Sequence, residues 1–389
     1  MSYSVLVTGD FCPAMDPPPF MPGASKGLHE LYGGGLDLIR QSDLAITNLE
    51  CPLTNSSQAI SKIGPSLKAP PECIQSLAEA GFGLVTLANN HIYDYGRQGL
   101  IDTLEVCRKY KLETVGADET LIKSQQTWFT KINGRVLAVV NIAENEWNSA
   151  TLQHGGSHPM NIINNARTIR AAAETSEFVL LIIHGGNELF TYPSPRTVEQ
   201  YRFYAEQGAT AIVAHHPHCI QGYEVHRGVP IFYSLGNFIF PYKRRIDSLW
   251  FEGFAVKLVF ESRREPLFEI YPYQQLRDRT GLRWYENSEI TDFMQRLENI
   301  SQPLGDQAKL NEFWRIQAKN NALKFMWYLS HGSKPAQGIR RGLQYLGLLG
   351  PLVRLGKRTN QLRLHLVRCE SHRDIILHAL KQIVYKNED

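Results

Sequence analysis

Cysteine is sparse and unpatterned: Cys12, Cys51, Cys73, Cys107, Cys219 and Cys369 are scattered through 389 residues, with no Cys-x-x-Cys. This excludes a closely spaced disulfide framework and suits free thiols in a reducing compartment. No apolar run is long enough to span a bilayer, and "FVLLII" (178–183) is strand-sized. Only "YSVLV" precedes the polar "TGD" at the N-terminus, with no basic flank, so no secretory signal is read there. The expected location is the cytoplasm. Net charge is only +3, so nothing global demands a polyanionic partner. Repeats and long low-complexity tracts are missing too, which excludes solenoid and fibrous classes.

What is present reads as soluble and globular, at 43% hydrophobic and 20% charged residues. Apolar, β-branched runs at 2–10, 44–50, 83–91, 135–144, 178–186 and 209–218 predict buried strands. Amphipathic stretches such as 71–81 and 96–111 separate several of them. That alternation predicts an α/β fold, a layered β-sheet core flanked by helices with partly parallel sheets. After residue 228 the runs follow one another without helices, which predicts a meander. From about 280 the apolar spacing is three-to-four, a C-terminal helical extension. The expected domains are 1–276 and a basic helical region, 277–389. Residues 301–389 carry fifteen Lys/Arg against six Asp/Glu.

The polar residues that end these runs form a pattern. Asp10, Glu50, Asn90 with His91, His184, and His216 with His218 each close an apolar run. In open α/β sheets the carboxyl ends of strands share one edge, where ligands bind. Five runs would bring carboxylates, a carboxamide and imidazoles to one rim, a mixed N/O set suited to Zn, Mn or Fe. Each residue alone also has a structural reading: Asp10 and Asn89-Asn90 as turn formers, Glu50 as a surface ion pair, His184 as a satisfied core histidine. In "HHPH", His216 and His218 would face one way from an extended chain. His215, out of phase, is expected to support them.

The motifs "VTGDF", "NLECPLT", "GLVTLANNHIYDYG", "VGAD", "HGGNE", "AHHPHCIQGYE" and "YSLGNFIF" occur in an order and spacing that resemble the CapA family of bacterial capsule and poly-γ-glutamate synthesis proteins. That family resembles calcineurin-type metallophosphoesterases. The resemblance covers roughly residues 4–243. It implies a metallophosphoesterase-like fold holding two divalent metal ions. Their ligands would be Asp10, bridging Glu50, Asn90, His184, His216 and His218. His91 would face the substrate phosphate, and "HGGNE" leaves Glu188 either to support a ligand or to act as an acid–base group. Three positions depart from the related phosphoesterases. Cys12 stands where they carry a histidine, as a soft ligand or a buried thiol. Ile92 replaces the aspartate after Asn-His, with Asp94 two residues on, and Gly185 replaces a frequent tryptophan.

The function expected from this set is metal-dependent phosphoester hydrolysis tied to synthesis of a capsule or polyglutamate-type polymer. The alternative is a non-hydrolytic accessory in biosynthesis or export of an anionic polymer. The expected partner is accordingly a phosphorylated or anionic polymer. The basic, apolar stretch 338–358 reads either as a packed helical segment or as a peripheral contact with the inner membrane face. Basic residues interleaved with Trp314, Trp327 and Tyr328 match no nucleic-acid motif, so no nucleic acid is expected.

Overall fold

The computed structural model describes residues 2–14, 25–241, 248–261, 265–277, 280–331 and 357–384. Strands β1 (Tyr3–Phe11), β2 (Leu44–Leu49), β3 (Leu84–Thr86) and β4 (Glu113–Val115) come first. Next are β5 (Ala117–Asp118), β6 (Trp128–Ile132), β7 (Arg135–Ala143) and β8 (Gly156–Ser157). β9 (Phe178–His184), β10 (Ala211–His215), β11 (Tyr223–His226) and β12 (Val229–Phe232) follow. The last are β13 (Asn237–Ile239), β14 (Glu252–Phe260), β15 (Leu267–Gln275) and β16 (Leu282–Trp284).

Among the described residues, eight strands form one sheet in the order β16-β15-β14-β1-β2-β3-β4, with β13 added to β1. Its β1–β4 half is parallel and its β14–β16 half antiparallel. A six-stranded sheet runs β11-β12-β10-β9-β7-β6, parallel through its four central strands. The meander expected after residue 228 is therefore divided. The hairpin β11–β12 closes the second sheet, β13 crosses to the first, and only β14–β16 run as a meander.

The continuous apolar character of these strands follows from burial on both faces. Side chains alternate across a strand, so Val5 and Val7 enter the core between the sheets while Leu6 faces the outer helices. Leu137 and Val139 of β7 share the inter-sheet core, whereas Ala138 and Val140 turn outward. Each Val, Leu or Ile buried this way contributes about 1.5–3 kcal/mol. Helices α1 (Ser25–Tyr32), α2 (Gly35–Gln41), α3 (Ile74–Ala80) and α4 (Gly96–Lys109) cover the first sheet. After the one-turn α5 (Leu121–Ser124), α6 (Ile162–Thr175) and α7 (Pro195–Glu206) cover the second. Helix α7 starts where the Ser194 hydroxyl accepts from the Thr197 N–H and Pro195 supplies a preset φ. The layers thus run helix, sheet, sheet, helix, the layered α/β core read from the sequence.

Strand pairing continues past residue 276, since β16 pairs with β15. Helix α8 (Ser288–Ser301) sends Phe293 and Leu297 into the inter-sheet core. Beyond it, α9 (Gln307–His331), α10 (Lys357–Arg368) and α11 (Glu370–Val384) pack through Trp314, Phe325, Leu362, Leu366 and Ile375 onto Phe190. No helix among the described residues is long and apolar enough to cross a membrane. Apart from Lys357 and Arg358, the stretch 338–358 lies outside the described residues.

Candidate metal centre

The parallel strands of both sheets point their carboxyl ends to one rim, and the polar residues that close them meet there. Asp10 is the penultimate residue of β1, Glu50 lies just after β2, Asn90 and His91 are on the loop after β3, and His184 ends β9. Asp10, Glu50, His184, His216 and His218 are all buried.

Among the described residues, two groups of three ligating atoms assemble, each within 4.8 Å: Glu50, His184 and His216 form one, and Asp10, Glu50 and His218 the other. Glu50 belongs to both. In the first group His184 Nε2 lies 3.1 Å from His216 Nδ1, 3.1 Å from Asn90 Oδ1 and 3.6 Å from Glu50 Oε1. In the second, Glu50 Oε1 is 3.5 Å from His218 Nε2, and Asp10 Oδ2 is 3.6 Å from His218 Nδ1.

The electrostatics of the pocket fit a cation. Both oxygens of Glu50 are buried with no hydrogen-bond donor, a costly state for an ionised carboxylate. Burial, then the neighbouring Asp10 and Cys12, push its pKa well above the ordinary carboxylate range. Burial and the surrounding imidazoles push His184 well down, and burial lowers His218 to about 4. Neutral imidazoles keep a lone pair for a metal, and a divalent ion would supply the charge that Glu50 lacks. The converging carboxylate oxygens and imidazole nitrogens could hold a metal ion.

Neighbouring residues orient these groups. Asn48 donates to Asp10 Oδ1 at 2.7 Å and sits 3.2 Å from His184 Nδ1. Asn237 Oδ1 lies 2.9 Å from His218 Nδ1, which leaves His218 Nε2 toward Glu50. Asn89 is the turn former of its pair: its Oδ1 accepts from the N–H groups of His91 and Ile92, and its Nδ2 donates to Leu49 O. His215 ends β10 with Nδ1 3.5 Å from Asp10 Oδ1, and it belongs to neither group of three.

The "HHPH" stretch is not extended. His216 and His218 have φ of 100° and 55°, left-handed conformations that non-glycine residues adopt at a cost. Pro217 stands between them, and the kink sends one ring to each group rather than two rings along one strand face. Cys12 is fully buried in the outer core of the first sheet. Burial and a contact with Cys51 push its thiol well up, and it is in neither group.

Outside the two groups, His91 Nδ1 lies 2.7 Å from Asp94 Oδ2 and Lys62 pairs with Asp94. Burial opposes ionisation of Asp94, but His91 and Lys62 outweigh it and hold the pKa below the usual value. Asp94, two residues beyond Ile92, is thus the carboxylate that pairs with His91. Glu188 is exposed on the turn after β9, close enough to raise the pKa of both Glu50 and His218. Sequence reading did not assign Asn48, Lys62, Asp94, Glu146 or Asn237. Three of them sit inside quoted motifs ("NLE", "DYG", "LGN"), which was the available signal.

The family described as "Bacterial capsule synthesis protein PGA_cap" matches residues 4–242. "Capsule biosynthesis protein CapA" of Bacillus anthracis is 32% identical over 213 residues, 52% of this chain and 51% of that protein. "PGA biosynthesis protein CapA" of Bacillus subtilis (strain 168) is 32% identical over 221 residues, 55% of this chain and 58% of that protein. The chain thus spans about half the length of these curated relatives. A solved structure of a hypothetical protein from Thermus thermophilus is 17% identical, with a TM-score of 0.44. The match covers 70% of this chain and 100% of that one.

Proposed function

The chain belongs to the PGA_cap family of bacterial capsule synthesis proteins, and from that premise we propose that it is a divalent-metal-dependent phosphoester hydrolase serving synthesis of an anionic, polyglutamate-type capsule polymer. The observation that carries this reading is the pair of ligand groups sharing the donor-less Glu50. Asp10 and His218 would hold one ion, Asn90, His184 and His216 the other, and Glu50 both. Mn, Zn and Fe suit this set of oxygens and imidazoles.

When bound, two such ions supply charge neutralisation and water activation for in-line displacement at phosphorus. The protein's residues do the rest. Asn48 and Asn237 keep Asp10 and His218 in orientation. With Nδ1 committed to Asp94, His91 has Nε2 for delivering a proton to the leaving oxygen. Lys62 balances the charge of Asp94 so that His91 keeps its partner ionised. Glu188, at the solvent side, exchanges protons with bulk water. The relatives' names refer to biosynthesis, which supports a polymer as the physiological partner.

The test is turnover of a generic phosphodiester with Mn²⁺. His91→Ala is expected to lower kcat by about 10²–10⁴ while Mn²⁺ binding persists, the range for a lost general acid. Equal turnover in this variant overturns the role of His91. Tight binding of two ions with no turnover by the unmodified protein overturns hydrolysis and selects the non-hydrolytic accessory reading.

A further inference from the structure

Helices α10 and α11 lie outside the family-matched stretch, yet they are fastened to loops at the rim. Glu370 accepts from the Asn145 N–H at 3.1 Å and from Asn145 Nδ2 at 2.8 Å. Ser371 donates to Glu144 Oε1 at 2.9 Å. Asp374 accepts from Ser194 Oγ and Arg196 Nε, at 2.9 and 2.8 Å. These contacts fix α11 against the loop that follows β7 and against the start of α7.

From that base α10 reaches the ligands through one residue. His365 Nδ1 lies 3.8 Å from Glu146 Oε2. The other oxygen, Glu146 Oε1, accepts from Asn90 Nδ2 at 3.4 Å, and Asn90 Oδ1 lies 3.1 Å from His184 Nε2. A carboxamide can present either end, but an ionised carboxylate offers acceptors only. Glu146 therefore admits the NH₂ end of Asn90 and turns its oxygen toward His184.

We propose that Glu146, packed beside His365 of the C-terminal helices, is a positioning residue that fixes the Asn90 carboxamide with its oxygen toward the cation site. The C-terminal helices are then part of the metal centre rather than an appendage to it. The inference rests on the metal-binding reading above, and its readout is binding rather than turnover.

The experiment is calorimetric titration of the full chain with Mn²⁺. Glu146→Ala should weaken one of the two binding events by about 10–100-fold, the usual loss when a ligand's orienting partner is removed, and leave the other unchanged. Glu146→Gln, whose amide oxygen can still accept from Asn90, should bind close to the unmodified protein. His365→Ala should weaken the same event by less. Because both residues act through one carboxamide, the double variant should bind no more weakly than Glu146→Ala alone. Unchanged binding by Glu146→Ala overturns the proposal and leaves the metal centre standing. Absence of Mn²⁺ binding by the unmodified chain overturns both. If metal-free melting shows that Glu146→Ala does not fold, His365→Ala decides: a selective loss at one event supports the proposal, and no loss overturns it.

Discussion

Replacing Glu50 with glutamine separates what a metal centre requires from what a stable fold requires. Glu50 is fully buried, and neither of its oxygens receives a hydrogen bond. Breaking a buried ion pair by removing one partner costs about 3–5 kcal/mol, because the remaining charge is left uncompensated. Without metal, Glu50 is in that position beside Asp10, and it escapes only by holding a proton, the direction in which burial drives its pKa. Glutamine has nearly the same shape and no charge. Metal-free Glu50→Gln should therefore melt no lower than the unmodified protein, with an expected gain of about 1–2 kcal/mol. Metal should reverse the order. At about a hundred times its dissociation constant a ligand stabilises by about 2.7 kcal/mol, and each kcal/mol moves Tm by about 1–2 °C in a chain of this size. The unmodified protein should then gain roughly 3–5 °C with Mn²⁺, and Glu50→Gln should lose most of that gain. Scanning fluorimetry with and without Mn²⁺ reads both effects. A metal-free Glu50→Gln melting several degrees lower, together with an undiminished Mn²⁺ shift, would refute the reasoning.

Two further outcomes follow from the same physics. Burial lowers His158 from 6.5 to about 4, while Asn165 Nδ2 lies 3.1 Å from its Nε2. The unfolded chain takes up this proton near pH 6.5 and the folded one only near pH 4. The group's contribution is thus complete above about pH 6.5, and about 3 kcal/mol is lost as pH falls through that window. His158→Gln keeps an acceptor for Asn165 without titrating. Its urea-unfolding free energy should fall less steeply between pH 6.5 and 4, by up to about 1.4 kcal/mol per pH unit; an unchanged slope contradicts this. At Gly9 a Cβ would lie 2.1 Å from the carbonyl oxygen of Gly236 and 3.0 Å from the backbone nitrogen of Phe238. Gly9→Ala must therefore force β1 and β13 apart beside Asp10, at about 1–3 kcal/mol. Urea unfolding should show that loss and calorimetry weaker Mn²⁺ binding; unchanged values for both would show that the strands yield freely.

The positions of Asp10, Glu50, Asn90 and His184 were legible because each closes an apolar run, and parallel strands collect their carboxyl ends at one edge. The layering was legible for a related reason, since unbroken apolar runs require cover on both faces. The path of the chain through "HHPH" was not. Alternation assumes an extended backbone, and the positive φ values of His216 and His218 appear only once the loop is folded. Asp94 was visible in its motif, but its pairing with His91 depends on a turn built by Asn89. Lys62 and Glu146 reach the rim from loops without periodicity, so no local pattern marks them. Glu370 and Asp374 look like ordinary polar residues of an amphipathic helix. Their partners Asn145 and Arg196 are brought to them only by tertiary packing.

The central claim, a two-ion centre joined by Glu50, is tested most directly by elemental analysis of the full chain purified without chelator. The account predicts about two divalent ions per chain, and clear depletion in Glu50→Gln, the residue common to both groups. An unmodified protein carrying no divalent metal, or a Glu50→Gln variant carrying as much as the parent, would contradict it.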